Sequence, residues 1–192
     1  MASRGPYSKS AQTRELILDA ALRIIGEDGY TGATLQQIAD AVEMSKPGVL
    51  HHFGSRDALL TAILERRDVR DTAVHGSEQY VIENLLETVR HNMTVPGLVA
   101  LYTALSGSAA TEVGDTTSRA YFTDRYRRVL VTLTEAVRIA QSQGLVKPEH
   151  SPATIARLLV AASDGLQTQW LLNPRVDMAG DLETLWRLVL ER

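Results

Sequence analysis

Apolar residues recur at helical spacing along almost the whole chain, and nowhere do they alternate with the period of two expected of strands. Residues 11–28 place Leu16, Ile17, Ala20, Ala21, Ile24 and Ile25 on one face, and Gly29 follows as the expected stop. Residues 34–53 predict two short helices joined by a tight turn. Thr34 can cap the first, and Gln37 three residues later completes a capping box. Ile38, Ala39 and Val42 form its apolar face, with Ala39 small enough for a second helix to cross closely. Ser45 caps that second helix, and Pro47 lies in its first turn, where a missing amide costs nothing. Ser55 and Asp57 then open a fourth helix whose buried stripe is Ala58, Leu59, Ala62 and Ile63.

Around residues 68–78 the periodicity lapses into polar residues, and a domain junction is expected there. Beyond it, residues 79–93 read as a helix, Pro96 opens another, and 107–115 read as a loop or frayed end. Residues 116–143 form a long helix closed by Gly144. Ser151 and Pro152 start a helix that Pro174 stops, and a last one covers about 180–190. The fold class is therefore all-α.

Composition narrows the chemistry. At 192 residues and 44% apolar content the chain has ample material for a packed core. No apolar run approaches the roughly 20 residues needed to span a bilayer, and the N-terminus lacks a signal-peptide stretch, so no membrane partner is expected and the location is expected to be cytoplasmic. The absence of cysteine removes disulfides, thiolate metal sites and cysteine nucleophiles. No Ser-His-Asp, paired-carboxylate or phosphate-loop arrangement stands out, and no catalytic residue, metal ligand or cofactor is expected. His51 and His52 are adjacent on a helix, point about 100° apart and have no acidic partner at ligand spacing.

Two helices joined by a tight turn form the geometry that inserts a helix into a DNA major groove. Charge gives no global support for this. The net charge is -3, and through residue 56 each basic residue is matched by an acidic one. DNA affinity would have to come from placement and from doubling the site in a dimer, because it tracks phosphates neutralised. Arg4 and Lys9 lie on a polar arm, Lys46 starts the second short helix and Arg56 opens the next.

Arg14-Glu-Leu-Ile-Leu-Asp-Ala-Ala, Gly29-Tyr30, Thr34, Ile38-Ala39, Ser45-Lys46 and the run from His52 to Leu60 resemble, in order and spacing over about 50 residues, the N-terminal domain of the tetracycline-repressor (TetR) family of transcriptional regulators. The resemblance implies a flexible arm over 1–10, a helix-turn-helix DNA-binding domain over 11–70 and a ligand-binding and dimerisation bundle over 71–192. It implies a homodimer on a palindromic, double-stranded operator, most simply a repressor, released by a small-molecule effector of unknown identity. Lys46, Pro47 and Gly48 would lie nearest base edges, with Ser45 beside them; Thr34 and Arg56 would hold phosphates, and Gln36 and His51 would face DNA. Three features depart from the family pattern: Glu43 stands where glycine is usual in the turn, Leu50 where tyrosine is common, and the pair Pro47-Gly48 where glycine-threonine is common.

An effector would be sought at Met93, Tyr102, Tyr121, Phe122, Tyr126, Asp164, Gln167 and Trp170. Asp164 sits among apolar neighbours, so it is either a buried hydrogen-bonder or a partner for a cation, and Arg119, Arg125, Arg128 or Arg138 could satisfy it without any ligand. Leu158, Leu159, Leu166, Leu185, Trp186 and Val189 exceed what one helical pair can easily bury, which favours a four-helix dimer interface from the last two helices of each copy. The rival readings are a helical adaptor and a small helical enzyme.

Overall fold

The computed structural model describes residues 6–75 and 81–190, with side chains from residue 9 to 71 and over 81–190. The described residues form nine α-helices and no strand: α1 (Pro6–Gly32), α2 (Leu35–Ala41), α3 (Lys46–Phe53), α4 (Arg56–His75), α5 (Val81–Thr94), α6 (Leu98–Thr111), α7 (Thr117–Ser142), α8 (Pro152–Leu172) and α9 (Met178–Leu190).

Several boundaries differ from expectation, each for a local reason. Helix α1 begins at Pro6, so Lys9, expected on a flexible arm, is an exposed helical residue; proline needs no amide partner at a first helical position. Arg4 lies outside the described residues. Gly29 does break α1, at φ 77° and ψ 169°, but one further turn follows. Helix α6 starts at Leu98 rather than Pro96 because Gly97 is left-handed, at φ 79°, and it runs through Gly107 to Thr111, shortening the expected loop. Ser151 precedes α8 without a side-chain capping bond. Helix α9 starts two residues early, where Asp177 accepts the Gly180 amide at 3.0 Å.

The chain divides into two compact units that do not follow chain order: Met1–Val69 with Val95–Arg119, and Arg70–Thr94 with Ala120–Arg192. In the first, Ile17, Ile25, Ile38, Leu59, Leu60, Ile63 and Leu64 are almost wholly buried together with Leu101 and Leu105 of α6. Helix α6 packs on α1 where two glycines meet: a Cβ on Gly97 would lie 2.6 Å from Gly26 N. This close approach draws 95–119, read from the sequence as part of the second domain, onto the helices of the first unit. Helix α4 is tied to α1 by Arg66, which donates to Glu15 at 2.9 Å and Asp19 at 2.7 Å. Partial burial lowers the Arg66 pKa, but the hydrogen bonds and charges of the two carboxylates outweigh it and hold the pKa above its ordinary value.

The second unit has its own core, in which Ile82, Leu86 and Val89 of α5 meet Leu133 and Val137 of α7, Ile155, Ala156 and Leu159 of α8, and Met178 and Leu182 of α9. Burial of the valine, leucine, isoleucine and methionine side chains among these contributes roughly 1.5–3 kcal/mol each relative to exposure.

Candidate nucleic-acid interface and effector region

Helices α2 and α3 are short, and their ends are closed by side chains. Thr34 Oγ1 accepts the Gln37 amide at 3.2 Å while Gln37 Oε1 accepts the Thr34 amide at 3.0 Å, which completes the capping box. Gln37 Nε2 also donates to Asp28 Oδ2 at 3.0 Å, tying α2 to α1. Ser45 Oγ accepts the Gly48 amide at 3.2 Å. Ile38, Ala39 and Val49 are wholly buried where α2 and α3 pack. Thr34, Gln36, Ser45, Lys46, Pro47 and His51 are left exposed, with Gly48 half-buried beneath them. Gly48 has little room: a Cβ there would lie 3.2 Å from Met44 Cε.

The turn is made by Glu43, at φ 55° the only described residue other than glycine with a positive φ. The amides of Met44 and Glu43 bond back to Ala39 O at 2.9 Å and Asp40 O at 3.2 Å, a Schellman closure that glycine usually makes. Leu50, in place of the common tyrosine, is half-buried.

Beyond the capping bonds of Thr34 and Ser45, two more residues expected at DNA, Gln36 and Arg56, have partners within the chain. Gln36 Nε2 donates to Asp40 Oδ1 at 2.6 Å, one turn along α2, which orients its amide. Asp40 is thus a residue that sequence reasoning missed, although the spacing of four was legible. Arg56 is half-buried; Nη2 donates to Tyr30 O at 2.8 Å and Ala33 O at 3.1 Å, Nε donates to Ala33 O at 3.4 Å, and the guanidinium lies 4.9 Å from the Tyr30 ring centre. These bonds join α4 to the end of α1 through Nε and Nη2.

The expected effector residues fall in both units. Tyr102 belongs to the first, is 5% exposed and lies beneath the Arg67 guanidinium at 5.1 Å. The others belong to the second. Tyr121 and Phe122 are buried and meet edge to face at 5.0 Å, and Phe122 stands 6.2 Å from Tyr126. Tyr126 donates its phenolic hydrogen to Asp164 Oδ2 at 2.7 Å, and Gln167 Nε2 approaches Asp164 Oδ1 at 3.4 Å. Asp164 is thus half-buried and accepts hydrogen bonds from both side chains. Of the four arginines considered for it, Arg119 donates to Ala109 O and Glu112 O and Arg138 to Glu135, so these two are engaged elsewhere; Arg125 and Arg128 stay candidates. Met93 and Trp170 pack against the core of the second unit.

Of the residues expected at a dimer interface, Leu159 is 2% exposed and belongs to the core of its own unit, a correction that follows from the face of α8 it occupies. Leu166, Leu185, Trp186 and Val189 are partly buried against the same core. Leu158, at 60%, is open, as are Leu172 on α8 and Leu188 on α9.

Against known families, residues 17–63 match the bacterial regulatory proteins of the tetR family, and 85–191 match the C-terminal domain of BetI-type transcriptional repressors. The chain belongs to the TetR family. Its match to the A-factor receptor protein of Streptomyces griseus is 24% identical over 192 residues, 95% of this chain and 64% of that one. The repressor AcnR of Corynebacterium efficiens is 36% identical over 75 residues, 39% of each chain. The chain thus spans less than two thirds of the length of these relatives. Among solved structures, a transcriptional regulator from Saccharomonospora viridis in complex with choline superposes with a TM-score of 0.75 at 25% identity, over 95% of this chain and 100% of that one. As in TetR-family members generally, a helix-turn-helix precedes a helical bundle, and no single described helix is long and apolar enough to cross a membrane.

Proposed function

We propose that this TetR-family chain is a ligand-responsive transcriptional repressor that binds a palindromic operator as a homodimer and is released by a small-molecule effector. The observation that carries the reading is the exposed first turn of α3, with Lys46 and Pro47 outward on a helix capped by Ser45 and anchored through Val49. Lys46, Pro47 and Gly48 approach base edges, Gln36 and His51 flank them, and Thr34 with Arg56 Nη1 meets phosphates, aided by Lys9 and Arg4. The relatives are regulators rather than enzymes, which favours this reading over a catalytic one.

The effector site is the cluster of Tyr121, Phe122, Tyr126, Asp164 and Gln167, bordered by Met93 and Trp170. A carboxylate beside aromatic rings suits a small organic cation, because the ring faces and the acid both attract positive charge. Choline in the Saccharomonospora structure supports that class. The dimer forms along α8 and α9, where Leu158, Ala161, Gly165 and Leu172 recur on one exposed stripe of α8 and Leu188 is exposed on α9.

A mobility-shift titration on the DNA upstream of the chain's own coding sequence, with and without choline, tests both halves. Retention of that DNA over a scrambled duplex is expected, with weaker retention in choline. No preference for any sequence would exclude the operator reading, and retention indifferent to choline would exclude that cation.

A further inference from the structure

Helix α3 has eight residues, too few to hold its own shape in water, and only Val49 and Phe53 are buried along it. Its N-terminal turn faces DNA under the reading above, so its direction depends on what holds the other end. That end is held by a residue 38 positions earlier. Arg14 Nη1 donates to His52 O at 2.7 Å, and the guanidinium lies 4.0 Å from the centre of the Phe53 ring. The carbonyls of a last helical turn lack partners within the helix and carry the negative end of its dipole, so a cation there is favoured twice.

We propose that Arg14 is a positioning residue for operator recognition: by fixing His52 O and the Phe53 ring, it sets the angle at which Lys46, Pro47 and Gly48 meet the bases. The role rests on the DNA-binding reading but differs from it in kind. The Arg14 guanidinium directs Nη1 at a carbonyl of its own chain and lies against Phe53, so its part in binding is orientation rather than a phosphate contact, a difference that the salt slope reads. Its loss removes discrimination between sequences while leaving electrostatic attachment intact, because displacement of a reading group by an ångström is enough to spoil base contacts.

The test uses the full chain and a duplex selected by the wild-type protein from a random library, with a scrambled duplex as reference. R14M is expected to bind the selected duplex at least tenfold more weakly and the scrambled one unchanged, with the same slope of log affinity against log salt. Equal losses on both duplexes with a slope shallower by about 0.9, the signature of one lost phosphate contact, would overturn the proposal. So would unchanged discrimination. Should R14M lack wild-type helical circular dichroism, R14K is measured instead. Its compact ammonium cannot both donate to His52 O and lie flat on Phe53, so reduced discrimination at an unchanged slope supports the brace and wild-type discrimination overturns it. If the wild-type chain selects no duplex at all, the DNA-binding reading itself fails.

Discussion

Asp57 Oδ2 accepts the backbone N–H of Ser118 at 3.0 Å, so a carboxylate in the first turn of α4 also closes the first turn of α7. Ser118 is wholly buried, and its amide has no helical partner at that position. Asp57→Ala should therefore cost about 1–2 kcal/mol, the size of a lost cap. Asp57→Asn keeps an acceptor and should cost less than half as much. Urea unfolding monitored by circular dichroism measures both, and equal losses would show that charge rather than the hydrogen bond matters.

Gly97 combines a φ of 79° with the α1–α6 crossing at Gly26. Gly97→Ala meets both the left-handed penalty of about 1–2 kcal/mol and a backbone clash. A loss of at least about 2 kcal/mol is expected, read as a lower melting temperature.

Glu43 has no such crowding and only the conformational penalty, at φ 55°. Glu43→Gly should stabilise the chain by up to about 1 kcal/mol, part of the relief being offset by the greater freedom of glycine in the unfolded chain. Differential scanning calorimetry reports the sign. Removing a negative charge beside α3 should also strengthen DNA binding at low salt.

Lys46→Ala and Arg56→Ala should each weaken operator binding. For Lys46 the loss falls mainly on the preferred sequence. Arg56→Ala acts across sequences and reduces the salt slope if Nη1 meets a phosphate. Arg56→Ala also releases the Tyr30 and Ala33 carbonyls, so a drop in melting temperature should accompany it. Unaltered affinity of both variants in a mobility-shift titration would remove these residues from the interface.

Dimerisation is best tested at side chains that serve no core of their own. Leu158→Asp and Leu188→Asp change residues each 60% exposed and should yield monomers in light scattering without loss of helicity. Trp186→Asp would confuse interface with core, since Trp186 packs against its own unit. A persisting dimer in both leucine variants would place the interface elsewhere.

Local chemistry made the frame legible. Capping residues announce themselves within three or four positions, so Thr34 with Gln37, Ser45 and Ser55 could be read directly, whereas Glu43 stood out only against the family's usual glycine. Helical periodicity likewise marked Ile38, Ala39 and Val42 as an apolar face, of which Ile38 and Ala39 are wholly buried and Val42 partly so. What periodicity cannot tell is which of several apolar stripes meets its own chain, so Leu159 and Leu158, adjacent in sequence, fell together as interface candidates although one is core and the other open.

By itself, then, the sequence determined the all-helical class, the helix ends set by short-range hydrogen bonds, and the resemblance that the family match sustains. Tertiary structure alone decided where the arginines go. Arg14 reaches across 38 residues and Arg56 across 23 and 26 to backbone carbonyls, and a carbonyl is the same in every residue, so no side-chain pattern could mark it as a partner. The Gly26–Gly97 crossing and the pairing of Tyr126 with Asp164, 38 residues apart, were also decided only in three dimensions. A contact between distant segments depends on the path of the chain between them, which local spacing does not encode.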